Sequence, residues 1–304
     1  MRLLKVITSR KHRFEFLANR GFYKNLSDSK YLKKRYFYKM GCELNLENPQ
    51  RYTAKLQWLK INDRKPEYTK LVDKYEVRKF VAEKIGEEYL IPLVGGPWKN
   101  FKDIDFDQLP ESFVLKCTHD SGGLFICKDV KKFDKKKAEK LIKRCLKKNF
   151  YYVTREWVYK NVEPRIIAEK YMEDTSTKEL RDYKFFCFNG EPKALFVATE
   201  RQDPTEEVKF DFFDINYNHI NLKNGHQNAK NIPEKPNQFD LMKDLARKLS
   251  KDIPHVRVDF YEVDGKVYFG EMTFFHFSGI VPFEPDEWDF TFGSWLDLPE
   301  KNEL

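Results

Sequence analysis

Four side chains between residues 254 and 279 have types suited to chemistry: Arg257, Asp259, Glu271 and Thr273. They lie on two strand-like runs joined at Asp264-Gly265, a dipeptide that favours a hairpin turn. In the first run Val256, Val258 and Phe260 alternate with Arg257, Asp259 and Tyr261, so one face is apolar and the other polar. In the second, Phe269, Glu271 and Thr273 share a face. Loop length decides whether the carboxylates meet. A two-residue loop pairs Val263 with Lys266 and puts Asp259 and Glu271 on opposite faces. A three-residue loop with Gly265 at positive φ shifts the register by one and gathers all four side chains. Two carboxylates on neighbouring strands form a hard-oxygen site for Mg²⁺, and an arginine beside them suits a phosphate. An ordinary hairpin with its charges facing water fits the same pattern.

A second candidate lies upstream. Phe113–Lys116 reads as a short strand ending in a lysine, His119-Asp120-Ser121-Gly122-Gly123 as a flexible loop, and Leu124–Cys127 as the next strand. Such a loop can fold over phosphates with its backbone N–H groups. It carries neither GxxxxGK[ST] nor GxGxxG, so it is not a P-loop or a dinucleotide fingerprint. A plain glycine-turn hairpin is the alternative.

These pieces need a scaffold, and 304 residues suffice for one large domain or two small ones. A chain 41% hydrophobic and 34% charged is that of a globular protein. The net charge of +8 is a local feature: residues 1–40 hold 12 Lys or Arg against Glu15 and Asp28, so the other 264 residues sum to −2. Aromatics are interleaved with this charge. The stretch reads as a basic helical pair packed on the main domain, as a patch for an anionic membrane surface or lipid-linked substrate, or as a nucleic-acid binder. No nucleic-acid-reading motif accompanies it, so nucleic acid is not expected. Five scattered cysteines without CxxC spacing argue against zinc and fit a reducing compartment. The opening residues lack a signal peptide's apolar core. A cytoplasmic protein, peripheral at the inner face of the membrane through residues 1–40, is the expectation.

Between the candidate sites the pattern alternates. A helix is expected from Asp73 to Gly86, a Gly-Gly-Pro turn at 95–97, and a lysine-rich helix over 134–149. Strands are expected at Arg165–Tyr171, Arg181–Phe188, Lys193–Thr199 and Val208–Phe213, with Asn189-Gly190 as a hairpin turn. A polar loop over 214–236 and an amphipathic helix over 237–252 follow, and a Phe/Trp/Pro-rich tail closes the chain.

The order of DKYEVRKFVAEKIGEEYLIPL, FVLKCTHDSGG, REWVYKNVEPRIIAEKYMED, LRDYKFFCFNG and VRVDFYEVDGKVYFGEMTF resembles the ATP-grasp superfamily. The wording of the segments resembles its TupA-like branch, associated with capsule, teichuronopeptide and other cell-surface polysaccharide synthesis. The resemblance covers roughly residues 45–298. It implies an α+β fold in which two α+β lobes with antiparallel sheets clamp ATP, here with a basic helical N-terminal extension. The implied division is an extension over 1–66 and an ATP-grasp region over 67–304. The latter splits into a leading helix and linker (67–110), a lid subdomain with the Gly-rich loop (111–172) and a metal/phosphate subdomain (173–304).

The resemblance also implies roles. Lys116 contacts the α- and β-phosphates, and Ser121, Gly122 and Gly123 form the lid. Glu169 sits at the adenine edge, the backbone of Lys170, Tyr171 and Met172 reads the purine, and Glu173 reaches the ribose. Lys184 is a second phosphate-side lysine, with Lys74 and Arg78 further candidates. Arg257 faces the γ-phosphate, and Asp259, Glu271 and Thr273 hold Mg²⁺. His276 is the histidine expected to touch substrate. Two departures stand out. Thr273 occupies a position where the superfamily commonly has asparagine, and mostly helical, basic residues stand where a nucleotide-fold-like acceptor lobe is usual.

The implied activity is a carboxylate–amine ligase that makes an acylphosphate from ATP and an acid, then an amide with an amine. The implied acceptor is a glycan or sugar acid. A phosphotransferase or glycan-transfer enzyme, and a non-catalytic glycan- or membrane-docking module, are the alternatives.

Overall fold

The structure, a computed structural model, describes residues 9–120, 122–175, 180–200 and 207–300. Helices α1 (Arg10–Asn19), α2 (Asp28–Met40) and α3 (Tyr52–Asn62) come first, then the short α4 (Tyr68–Val72) and α5 (Val77–Lys84). Strands β1 (Leu93–Trp98), β2 (Phe113–Cys117) and β3 (Leu124–Cys127) precede α6 (Lys135–Leu146), the single turn α7 (Tyr151–Thr154) and β4 (Ile166–Lys170). The chain continues through β5 (Asp182–Phe188), β6 (Glu191–Thr199), β7 (Lys209–Asp214), β8 (His219–Ile220) and β9 (Lys223–Asn224). It ends with α8 (Phe239–Ser250), β10 (His255–Val263), β11 (Lys266–Thr273), β12 (Phe283–Glu284) and α9 (Glu287–Trp295).

Two antiparallel sheets organise these elements. The smaller has the order β1-β4-β2-β3, the larger β11-β10-β5-β6-β7-β8, and β12 pairs with β9 apart from both. The central strand β5 is buried along its whole length because both of its faces are covered. Phe185 meets Phe239 of α8 on one face. Phe186 and Phe188 meet Tyr52 of α3 and Phe292 of α9 on the other. Helix α8 closes its face because Phe239, Met242, Leu245, Ala246 and Leu249 recur at helical spacing, and all are buried. Fully burying each large apolar side chain of this kind contributes about 1.5–3 kcal/mol. The smaller sheet has its own core, in which Ala138, Ile142 and Cys145 of α6 pack on Phe113 and Leu115. The Asp134 carboxylate starts that helix by accepting from the Lys137 N–H at 2.9 Å.

The N-terminal helices form a third core around Phe14, Tyr31, Leu32 and Tyr36. They are tied to the rest through buried polar contacts. Tyr31 donates to the Val153 carbonyl at 2.7 Å, and the buried Arg155 guanidinium donates to the Tyr23 carbonyl at 2.6 Å. Helix α3 is joined to α9 by Asp289, which accepts from the Thr53 N–H at 2.9 Å and its hydroxyl at 2.7 Å.

Three local expectations change. Helix α5 begins at Val77, because the Asp73 carboxylate accepts from the N–H groups of Tyr75 and Glu76 and makes residues 73–76 a turn. Gly95-Gly96-Pro97 lies inside β1, where two register shifts against β4 absorb the irregular backbone. The 214–236 loop contains the two-residue strands β8 and β9.

Candidate functional site

The hairpin of β10 and β11 brings Arg257, Asp259, Glu271 and Thr273 together, but not by the expected route. The loop has two residues, Asp264 (φ 50°) and Gly265 (φ 74°), and Val263 pairs with Lys266. Two consecutive positive φ values suit a tight hairpin turn. The register shift comes six residues from the turn's start, at Gly270. Phe260 opposes Phe269 while Asp259 opposes Glu271, so Gly270 is the extra residue of a bulge. A Cβ there would stand 3.1 Å from the Asp259 carbonyl oxygen and 3.2 Å from the Tyr261 ring. The bulge moves Glu271 and Thr273 onto the face of Arg257 and Asp259.

Arg257 is the hub of that face. Its Nε and Nη2 donate to the two oxygens of Asp259, both at 2.7 Å, in a bidentate pair. Nη2 also reaches Glu271 Oε1 at 3.1 Å and Thr273 Oγ1 at 3.0 Å. Lys184, opposite Asp259 on β5, donates to the same carboxylate and lies 3.3 Å from Asp182. Burial alone would lower the Arg257 pKa, but the Asp259 charge and its hydrogen bonds, then Glu271, raise it. Burial lowers the Lys184 pKa against the pull of Asp259.

His276 does not face the cleft. It is buried, and Arg257 Nη1 lies 2.7 Å from its Nδ1, while its Nε2 lies 2.9 Å from Asn224 Oδ1. Asn224 Nδ2 donates to the carbonyls of Val281 and Pro282, which turns its Oδ1 toward His276. Nε2 therefore carries the proton and Nδ1 accepts from Arg257. Burial, then the Arg257 charge, holds the His276 pKa well below the usual histidine range. The ring braces Arg257 from behind.

Beyond Asp259 on the same face of β10 lies Tyr261, which borders a cavity of about 170 Å³ between the two sheets. Its walls are Ile91, Val114, Leu124, Ile126 and Leu180, and its polar edge is Lys116, Glu169, Lys170, Tyr171 and Met172. Lys116 and Glu169 form an ion pair across β2 and β4, and Arg78 stands 3.5 Å from the other Glu169 oxygen. The Lys170 N–H donates to the Pro92 carbonyl at 2.9 Å, so that group is already taken. Glu173 accepts from Lys128 at 3.1 Å and from the Tyr171 hydroxyl. Lys74 donates to the Asp120 carbonyl at 2.9 Å and so holds the loop before Gly122. The Asp120 carboxylate accepts from the Gly122 N–H at 3.0 Å, and Gly123 packs on Cys117. Ser121 lies outside the described residues.

A family model described as TupA-like ATPgrasp matches residues 54–297. The chain belongs to the TupA-like ATP-grasp family. Its two antiparallel sheets with a slot between them are the ATP-grasp arrangement. Among solved structures it is similar to D-alanine–D-alanine ligase from Bacillus anthracis complexed with ATP, with 15% identity, 88% of this chain, 82% of that chain and a TM-score of 0.39. It is also similar to the Helicobacter pylori D-alanine–D-alanine ligase, with 15% identity and a TM-score of 0.38, over 75% of this chain; it spans 61% of that enzyme's length. N5-carboxyaminoimidazole synthase from Aspergillus clavatus shares 15% identity over 69% of this chain and 46% of its own, with a TM-score of 0.37. No curated protein matches.

Within this ATP-grasp chain, two participants escaped sequence reasoning. Asp182 sits two residues before Lys184, a spacing that puts both on one strand face, so period-two reading could have found it. Asn224 carries no local signal, because its role depends on a turn more than fifty residues away. Among the described residues no group of three or more His, Cys, Asp or Glu forms a metal cluster. Asp259, Glu271 and Thr273 are hard-oxygen donors on one face of the hairpin, the kind Mg²⁺ takes, and a cation there would have to share or replace Arg257 and Lys184 as partners of the fully buried Asp259 carboxylate.

Proposed function

We propose that this protein is an ATP-dependent carboxylate–amine ligase working through an acylphosphate. It would join an amine or amino acid to a uronic acid of a cell-surface or capsular polysaccharide. Family membership supports an ATP-dependent ligase. The observation that carries the reading further is the line along one face of β10: Tyr261 at the apolar slot, then Asp259, then Arg257. Alternate strand residues are about 7 Å apart, so the line has room for a purine at one end and a triphosphate along it.

In this reading the slot takes the base. Lys170 O and the Met172 N–H would read the purine edge, Glu169 lies beside it, and Glu173 is placed for the ribose. Lys116 would exchange its pairing with Glu169 for phosphate oxygens, with Lys74 and Arg78 nearby. Gly122 and Gly123, part of the expected lid, would close over the phosphates and exclude water that would hydrolyse an acylphosphate. Arg257 and Lys184 would offset charge on the transferring phosphoryl group. Asp259, Glu271 and Thr273 would hold Mg²⁺, which supplies charge neutralisation at the phosphates.

A location at the inner face of an anionic membrane is part of the proposal. Glu15 and Asp28 are already paired, with Lys39 and with Arg64 and Arg155. Lys30, Lys33, Lys34 and Phe37 are left exposed, with Phe22 at 70%. Among the described residues no helix is long and apolar enough to cross a membrane.

The test is Mg²⁺-dependent ADP release with uronic acids and amines supplied singly and together. Release only with both supports the ligase. Release with a phosphorylated sugar and no amine requirement would replace it with a phosphotransferase, and absence of nucleotide binding with a docking module.

A further inference from the structure

The turn after β11 has disfavoured backbone. Phe277 (φ 46°, ψ 30°), Ser278 (φ 58°, ψ 15°) and Gly279 (φ 60°) stand in succession in the left-handed region. Non-glycine residues avoid that region, and a run of them persists only where its surroundings hold it. Here the surroundings are the N-terminal helices. Gln57 Nε2 donates to the carbonyls of Ser278 and Gly279, both at 2.9 Å. Lys60 Nζ reaches Ser278 O at 2.9 Å, Ser278 Oγ at 2.7 Å, Thr154 O at 3.2 Å and Gln57 Oε1 at 3.2 Å. Arg35 Nη1 donates to Ser278 Oγ at 3.0 Å.

Gln57 and Lys60 are both 0% exposed. A buried ammonium is costly, and burial lowers the Lys60 pKa to about 7, opposed by the Glu156 charge. It is retained where four oxygens converge, because its three N–H donors are shared among them and it brings no acceptor. An apolar residue would leave the Ser278 carbonyl to Gln57 alone and the Thr154 carbonyl to Arg35 at 3.4 Å, so the turn would lose its shortest donor without a replacement.

The turn begins with His276, which accepts from Arg257. Residues 276 and 278 therefore link two networks, one ending on the reaction-centre arginine and one on α2 and α3. We propose that Arg35, Gln57 and Lys60 are positioning residues for the reaction centre: they lock the 276–279 turn so that His276, braced by Asn224, aims Arg257 at the γ-phosphate. The inference rests on the ATP-dependent reading above. It makes the basic helical region a back wall of the reaction centre in addition to an outward-facing surface.

The experiment is calorimetric titration of Mg·ATP and Mg·ADP into the full chain, beside ¹⁵N spectra of the histidine rings. The wild type is expected to prefer ATP, because Arg257 reads the phosphate that ADP lacks, and to show His276 as a single neutral Nε2–H tautomer. In Lys60→Met, ADP affinity should stay within about twofold while the ATP-to-ADP preference falls about tenfold. The His276 signal should broaden or split. Lys60→Arg, which restores donors but not shape, should recover part of the preference. If Lys60→Met does not fold, Arg35→Met and Ser278→Ala carry the same readouts. A folded variant with unchanged preference and an unchanged His276 tautomer overturns the clamp. Failure of the wild type to bind either nucleotide overturns the ATP reading instead, and the tautomer comparison still decides the clamp.

Discussion

The two ends of the proposed nucleotide line are built differently. At the Arg257 end, every side chain has several partners. Arg257 engages Asp259, Glu271, Thr273 and His276, and Lys184 engages Asp259 and Asp182. His276 is fixed in turn by Asn224. At the slot end, polar contacts are sparser. Lys116 is paired with Glu169, Lys74 with one carbonyl, and Leu124 and Ile126 of β3 remain 45% and 42% exposed. Charge that develops during reaction is stabilised best by groups already in place, since reorganisation then costs nothing at the moment of transfer. A base that must enter and leave is served by apolar walls and partners that can be exchanged. The contrast is one of rigidity at the chemical end and exchangeability at the binding end.

The sharpest way to break this comparison is Asp259→Asn. Asp259 is 0% exposed and neutralises both Arg257 and Lys184. Removing its charge leaves two buried cations without it, and unfolding in urea should register a loss of about 3–5 kcal/mol. ADP release should fall below detection. Normal stability and turnover would mean that the cluster is not over-determined and that Asp259 holds no metal.

Acid should act next, and on the same end. His255, two residues before Arg257 on β10, takes a hydrogen bond from Tyr52 at 2.9 Å and gives one to the Cys187 carbonyl at 3.0 Å. Burial pushes its pKa down to about 3. The fold holds the neutral ring, so the unfolded chain takes up a proton first as pH drops below its value of about 6.5. Stability is therefore full above about pH 6.5 and lost toward pH 3, by about 1.4 kcal/mol per pH unit from this group. His255→Gln should flatten the slope between pH 6 and 4. An unchanged slope would show that the ring is not held neutral.

The smallest effect on stability belongs to the slot. Lys116→Met leaves Glu169 with Arg78, so stability should change by less than about 1 kcal/mol while ATP affinity falls about tenfold or more. Calorimetry beside a melting curve separates the two. A large loss of stability with intact ATP binding would reverse the roles assigned to the two ends.

Much of this was legible in the chain. The alternation of Val256, Val258 and Phe260 with Arg257, Asp259 and Tyr261 set the two faces of β10, because side chains in a strand alternate whatever surrounds it. The apolar spacing over 239–249 likewise made α8 a helix with one buried face. The Lys116 strand and its glycine loop were readable from residue types as a candidate phosphate site, whereas the Glu169–Met172 segment entered only through family resemblance; the structure lines one slot with that strand and that segment. What the sequence left open was register and depth. A three-residue loop and a bulge at Gly270 both gather the carboxylates, and local pattern cannot tell them apart, since each inserts one residue into the same hairpin. Only pairing against β5, which sets Lys184 opposite Asp259, shows which face is buried. His276 looked like a residue for substrate because nothing local marks a histidine as buried. Asn224, Gln57 and Lys60 became visible only when distant segments met. A residue's type and its strand or helix neighbours are encoded locally. Its burial, its hydrogen-bond partners and therefore its charge state depend on what the rest of the chain packs against it, and that was decided by the tertiary structure.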